Sequence, residues 1–134
     1  LSRLEYDFKG SPDLAQTLVT CCCGLKIPFK FTGLSNLRIK ETDRIAALET
    51  ELRKLGFIIK DENGDTLYWD GEHCEASLAP IDTYEDHRMA LSFAPLASIF
   101  PHLRINHPEV VSKSYPNYWN DLRTAGYRIE ESGE

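Results

Sequence analysis

A chain of 134 residues, 42% apolar and 27% charged, has enough material for one buried core and little beyond it. Its 21 acidic residues outweigh 15 basic ones, for a formal charge of −6, which disfavours broad binding to nucleic acid or an anionic membrane. No apolar run approaches the roughly 18 residues of a membrane span, so any anion site must be a local cluster of cations.

Leu1 stands where Met would open a complete protein, and Leu1–Phe8 reads as a strand already in progress, so we expect a piece of a longer chain. Leu4-Glu5-Tyr6-Asp7-Phe8 alternates in the strand manner and stops at Gly10-Ser11-Pro12. Pro12-Asp13 then opens a helix to about Gly24, with Leu14, Ala15, Leu18, Val19 and Cys22 inward. The adjacent Cys21, Cys22 and Cys23 have no metal-ligand spacing and form no disulfide framework with the distant Cys74. They read as small buried helix residues of a reducing, cytoplasmic protein. Ile27–Phe31 is a short strand near a sheet edge.

A second helix is predicted from about Thr42 to Leu55, with Ile45, Leu48, Leu52 and Leu55 on one face and Gly56 as its stop. Phe57–Lys60 and Thr66–Trp69 flank Asn63-Gly64, a hairpin signal. The order then begins again: a weak strand at Ala76–Ala79, a helix from Asp86 to about Ser98, a strand at Leu103–Asn106, a helix from Pro116 to Ala125, and a strand at Tyr127–Glu130. Asp13 and Asp86 each begin a first helix, and 27 residues later Lys40 and Lys113 each precede a second. Leu52–Phe57 and Leu122–Tyr127 close those helices alike, if the second half carries a three-residue deletion. The fold class is therefore α/β, built of repeated βαβαββ units: one unit at about 1–72 and most of a second at 73–134, in a single partial domain.

Chemistry-bearing residues gather at the loop-to-helix junctions. Lys40 and Arg44 fall one helical turn apart at the front of the second helix, where they repel each other and oppose the helix dipole. An anion bound between them would offset that cost. Arg44 offers a planar fork, Lys40 a point charge, and Glu41 a carboxyl able to move a proton. Asp86-His87-Arg88 repeats the theme with a titratable imidazole. Lys113 precedes the Ser114-Tyr115-Pro116 helix entry, and Asp13 suits a helix cap. His73, His102 and His107 show no ligand spacing and are assigned to surface or packing. Gly-rich phosphate loops are absent.

Arg38-Ile-Lys-Glu-Thr-Asp-Arg44, continuing through Glu51-Leu-Arg-Lys-Leu-Gly56, resembles the signature of the 5-enolpyruvylshikimate-3-phosphate synthase family. Asp86-His-Arg-Met-Ala90 is similar to its second hallmark, and Pro12–Thr17 and Ser112–Pro116 follow the family's order and spacing. The resemblance implies a two-domain enzyme, three βαβαββ units to a domain, of which this is the C-terminal portion. It implies transfer of the carboxyvinyl group of phosphoenolpyruvate to the 5-hydroxyl of shikimate 3-phosphate, with release of phosphate and without metal or organic cofactor.

Carried over, Asp13 would contact the reacting hydroxyl as base, Glu41 and His87 would manage the methylene proton, and Lys113 would act on the bridging and leaving phosphate oxygens. Arg44, Arg88 and Lys113 would clamp phosphoenolpyruvate, while Asn36 and Lys40 would hold shikimate 3-phosphate. Glu85 stands where the family pattern has Asn, and Gln16 where it has Pro or Met. The Lys, Ser, Gln and Arg groups of an N-terminal domain would have to come from outside these residues, so turnover by this piece alone is not expected. The reading requires Arg44, Arg88 and Lys113 to face one common hollow. A UDP-sugar enolpyruvyl transferase and a non-catalytic anion- or RNA-binding βαβαββ module are the competing readings. The first lacks the Lys-Glu-Thr-Asp-Arg run, and the second sits poorly with a pI of about 5.2.

Overall fold

The alternating apolar positions of the first half become a four-stranded mixed sheet with two helices packed on one face. The computed structural model describes residues 3–40, 42–100, 102–112 and 114–129. Strand β1 (Leu4–Asp7) leads through a 3-10 turn (Pro12–Leu14) into α1 (Ala15–Leu25), then β2 (Phe29–Thr32). A second 3-10 turn (Ser35–Ile39) precedes α2 (Arg44–Lys54), followed by β3 (Lys60–Glu62) and β4 (Thr66–Trp69). The sheet order is β1-β2-β4-β3, with β1 parallel to β2 and both other pairings antiparallel.

β2 shows why this face is the core. Phe29 and Phe31 are fully buried while Lys30 and Thr32 are not, as a half-covered strand requires. Their rings stack at 4.7 Å, and Phe8 meets Phe31 edge-on at 5.0 Å. Val19 and Cys23 from α1, Ile45, Leu48 and Leu52 from α2, and Leu67 and Trp69 from β4 complete that layer. β1 forms at the predicted place, yet Leu4 and Tyr6 are 46% and 59% exposed, because its outer edge is unpaired and its face uncovered among the described residues.

Several boundaries differ from the sequence expectation. The first helix enters through a 3-10 turn rather than directly at Pro12-Asp13, and ends past Gly24 on Lys26, whose φ is +60°. Asp43 caps α2 by accepting the Ala46 N–H at 3.1 Å, so Arg44 is its first residue and Lys40 lies outside it, ending the preceding 3-10 turn in an extended conformation. Strand β3 starts at Lys60 rather than Phe57, because Phe57 instead bridges to His73. The Asn63-Gly64 hairpin forms as expected, with φ of +57° and +66°.

The second half keeps its helices and loses its sheet. α3 (His87–Phe93) passes into a 3-10 turn (Ala94–Ser98), where Pro95 lacks the N–H needed to continue an α-helix. Another 3-10 turn (Pro108–Val111) precedes α4 (Tyr118–Thr124). No strand forms at 76–79, and 103–106 contributes only a parallel bridge between Ile81 and Ile105. The backbone donors have other partners: Cys74 N–H bonds the Gly56 carbonyl, Leu78 N–H the Lys54 carbonyl, and Asp82 N–H the Glu51 carboxylate. Residues 127–129 are not strand, and Glu130 lies outside the described residues. Among the described residues no helix is long and apolar enough to cross a membrane.

Candidate functional site

Three loop-to-helix junctions meet around one arginine. Asp13 sits on the 3-10 turn ahead of α1, Arg44 begins α2, and Asp86 caps α3 by accepting the Arg88 N–H at 2.9 Å. The Arg44 guanidinium, buried beneath these turns, lays Nε and Nη2 against the two Asp86 oxygens. Its Nη1 reaches Asp13 Oδ1 at 3.3 Å. The same oxygen lies 3.6 Å from Lys40 Nζ.

The anion expected between Lys40 and Arg44 is thus present as a side chain of the chain itself. Asp13 places its carboxylate between the two cations, and Asp86 neutralises the far edge of the guanidinium. Charges alternate along Lys40, Asp13, Arg44 and Asp86, so the repulsion read from spacing does not arise. Lys40 is not on the α2 helix, which removes its opposition to that dipole.

His87 and Arg88 follow Asp86 directly and are half-buried, so the second motif is tied to the first through one carboxylate. Asn36 lies exposed on the 3-10 turn that Lys40 closes, and that turn packs against the turn bearing Asp13. It borders an open hollow of about 380 Å³ with Asp7, Lys9, Gly33, Ser35 and Asp65. A broader hollow of about 1120 Å³ lies between Leu55, Leu78, Phe100, Leu103 and Tyr127. Neither is lined by Arg44 or Arg88, so the common hollow required of these cations is not one of them. Glu41 and Lys113 lie outside the described residues.

Asp86, which from sequence only begins a helix, is the counter-ion of Arg44, and Glu51, Tyr84 and the buried surroundings of Gln16 carry no expectation from sequence. One signal was available: Arg44, Leu48, Glu51 and Leu55 share a stripe of α2, and all four are buried. A charged residue on an apolar stripe implies a buried partner from elsewhere in the fold. His73 packs against Phe57 and Trp69 with ring centroids 5.4 and 5.3 Å apart, and His107 pairs with Glu109 on the surface. Among the described residues no group of three or more His, Cys, Asp or Glu side chains could hold a metal.

The family profile for EPSP synthase (3-phosphoshikimate 1-carboxyvinyltransferase) matches residues 2–122. The chain is 57% identical to a 3-phosphoshikimate 1-carboxyvinyltransferase of Bacteroides fragilis, over all of its own length and 33% of that protein. It is 39% identical to the enzyme of that name from Shewanella pealeana, over 95% of this chain and 29% of the other. With the Cellvibrio japonicus protein of that name it shares 40% identity over 90% of this chain and 28% of the relative. The chain spans about a third of the length of the curated relatives it matches.

Proposed function

The chain belongs to the EPSP synthase family, and on that premise we propose that it is the part of an enolpyruvyl transferase carrying one half of the substrate cleft. The reaction is attack of the 5-hydroxyl of shikimate 3-phosphate on the enol carbon of phosphoenolpyruvate, protonation of the methylene, and loss of phosphate from the tetrahedral intermediate. This is a step of aromatic amino-acid biosynthesis. The observation that carries the reading is the ion chain Lys40–Asp13–Arg44–Asp86, which brings both sequence motifs to one place.

In this reading the incoming anion competes with Asp13 for Lys40 and for Nη1 of Arg44, while Nε and Nη2 stay on Asp86. Displaced from the cations, the Asp13 carboxylate becomes available to the reacting hydroxyl as base. Lys40 and Asn36 hold shikimate 3-phosphate; Arg88 and Lys113 share phosphoenolpyruvate with Arg44. Glu41 and His87 serve the methylene proton, and Lys113 the bridging and leaving phosphate oxygens. Catalysis would rest on charge stabilisation and proton transfer by paired groups, with no cofactor. The halves at about 1–72 and 73–134 are read as one repeat unit and most of a second. Free cysteines support a cytoplasmic setting.

The whole activity needs groups from a second, N-terminal domain, so phosphate release by these 134 residues alone is expected to stay at background. Titration with shikimate 3-phosphate plus glyphosate, an inhibitor expected at the phosphoenolpyruvate site, tests the reading by tryptophan fluorescence. A saturable response that disappears in Arg88→Ala is the expected result. A response to RNA and none to these ligands would overturn it.

A further inference from the structure

Glu51 is completely buried on α2, where an unmatched carboxylate would be strongly disfavoured. Its Oε1 accepts from Lys54 Nζ at 2.6 Å and from the Asp82 N–H at 2.9 Å, and its Oε2 accepts from the Tyr84 hydroxyl at 2.6 Å. Lys54 also donates to the Pro80 carbonyl at 3.0 Å. Burial first, then the bond to Glu51, pushes the Tyr84 phenol up, so it stays protonated and donates. One carboxylate thereby fastens residues 80–84 to α2. On its other side that segment is held by Thr83 Oγ1, which donates to the Asn106 carbonyl at 3.0 Å.

The backbone beyond this anchor is unusual. Tyr84 and Glu85 have φ of +57° and +56°, two consecutive left-handed residues of types that rarely adopt that region. Such a pair persists only where surrounding contacts over-determine it. It turns the chain so that Asp86 caps α3 and meets Arg44. Arg44 and Glu51 fall on the same face of α2, so the helix grips this crossover at both ends: Asp86 through one, Tyr84 through the other.

We propose that the Glu51–Tyr84 hydrogen bond is a positioning device for the Asp86-His87-Arg88 motif, holding the left-handed pair in the form that brings Asp86, with His87 and Arg88 directly after it, to Arg44. The inference rests on the reading of that cluster as an anion site. Glu51 and Tyr84 are positioning residues that act through 85–88.

Amide hydrogen exchange by NMR on the 134-residue chain and two variants tests this. Tyr84→Phe deletes only the hydroxyl, whereas Glu51→Gln leaves the hydroxyl in place, able to accept from the new amide while the remaining amide oxygen stays on Lys54 and the Asp82 N–H. Tyr84→Phe is expected to speed exchange at Asp86 and Arg88 at least about tenfold, to shift the His87 ring signals, and to leave the β2–β4 ladder within about twofold. Glu51→Gln should retain the His87 signals of the unsubstituted chain. Uniform acceleration throughout the chain, or unchanged exchange at Asp86 and Arg88 in Tyr84→Phe, would overturn the proposal. If Glu51→Gln fails to fold, Tyr84→Phe alone decides. Phosphoenolpyruvate binding is read separately. Its absence from the unsubstituted chain counts against the anion site, while the exchange pattern still decides the positioning.

Discussion

Arg44 lays the Nε–Nη2 edge of its guanidinium along the Asp86 carboxylate at 2.7 and 3.1 Å, with the two side chains 2% and 0% exposed. The pair joins the first residue of α2 to the cap of α3, so a single contact links the two halves of the chain at the candidate site. Burying two charges gains stability only when the geometry is good and the remaining lone pairs are used; here Arg88 N–H takes one of them. Removing one partner strands the other. Asp86→Asn is expected to lower unfolding stability by about 3–5 kcal/mol, a large share of what a domain of this size has. Urea unfolding measures it. Replacing both partners, with Arg44→Met and Asp86→Leu together, should recover most of the loss, and a double variant as unstable as the single would contradict this account.

Gln16 buries its amide at a cost. The residue is fully buried on α1; among the described residues its Nε2 meets only Met89 Sδ, at 3.3 Å, and its Oε1 meets no donor. Sulfur is a weak acceptor, and a stranded buried amide oxygen costs about 1–3 kcal/mol. Gln16→Met has similar volume and removes both polar atoms. It is expected to raise stability by about 1 kcal/mol, visible as a rise of a few degrees in Tm. A fall in Tm would mean that the amide has a partner the protein needs.

Glu85 lies in the left-handed region at φ +56°, which Asn occupies several-fold more readily than most L residues. Glu85→Asn is therefore expected to stabilise by roughly 0.5–1 kcal/mol without altering any buried contact. The check is denaturant unfolding at matched m-value. Glu85→Ala supplies the contrast, since alanine gains no such preference and should not reproduce the effect.

What the sequence reveals, and what it hides, follows from the range of the interactions. α1, α2 and the Asn63-Gly64 turn are legible because their signals lie within a few residues: apolar periodicity and a dipeptide suited to positive φ. The second-half strands are not legible as absent, because the competitors for their backbone donors come from α2, with Lys54 accepting from Leu78 and Glu51 from Asp82. The site divides in the same way. The motifs around Arg44 and Asp86 stand out as motifs. That Asp86 would be the counter-ion of Arg44, 42 residues earlier, depends on how α1 and α3 pack, which no local pattern encodes. Likewise, charges alone called for an anion between Lys40 and Arg44 but could not say that Asp13 fills the place.

The cysteine run provides a prediction at alkaline pH. Cys22 and Cys23 are buried on α1 while Cys21 is exposed, a finer division than the all-buried expectation. Burial, with the Cys21 charge adding to it, pushes the Cys22 thiol up to about 11 from an ordinary value of 9.0; burial and the Cys22 charge push Cys23 higher still. Through pH 9 and above, unfolded thiols would release protons that the folded chain retains. The folded state then binds more protons, so stability is fully present below pH 9 and falls as pH rises toward 11. The slope is at most about 1.4 kcal/mol per pH unit for each thiol. Tyr118, pushed up to about 12 mainly by burial, adds the same sign at higher pH. Urea unfolding at steps from pH 7 upward, compared with a Cys22→Ala, Cys23→Ala variant, separates the contributions. The double variant should start less stable and decline more gently between pH 9 and 10, before tyrosine ionisation takes over. Parallel declines in the two proteins would show that the buried thiols do not control alkaline unfolding.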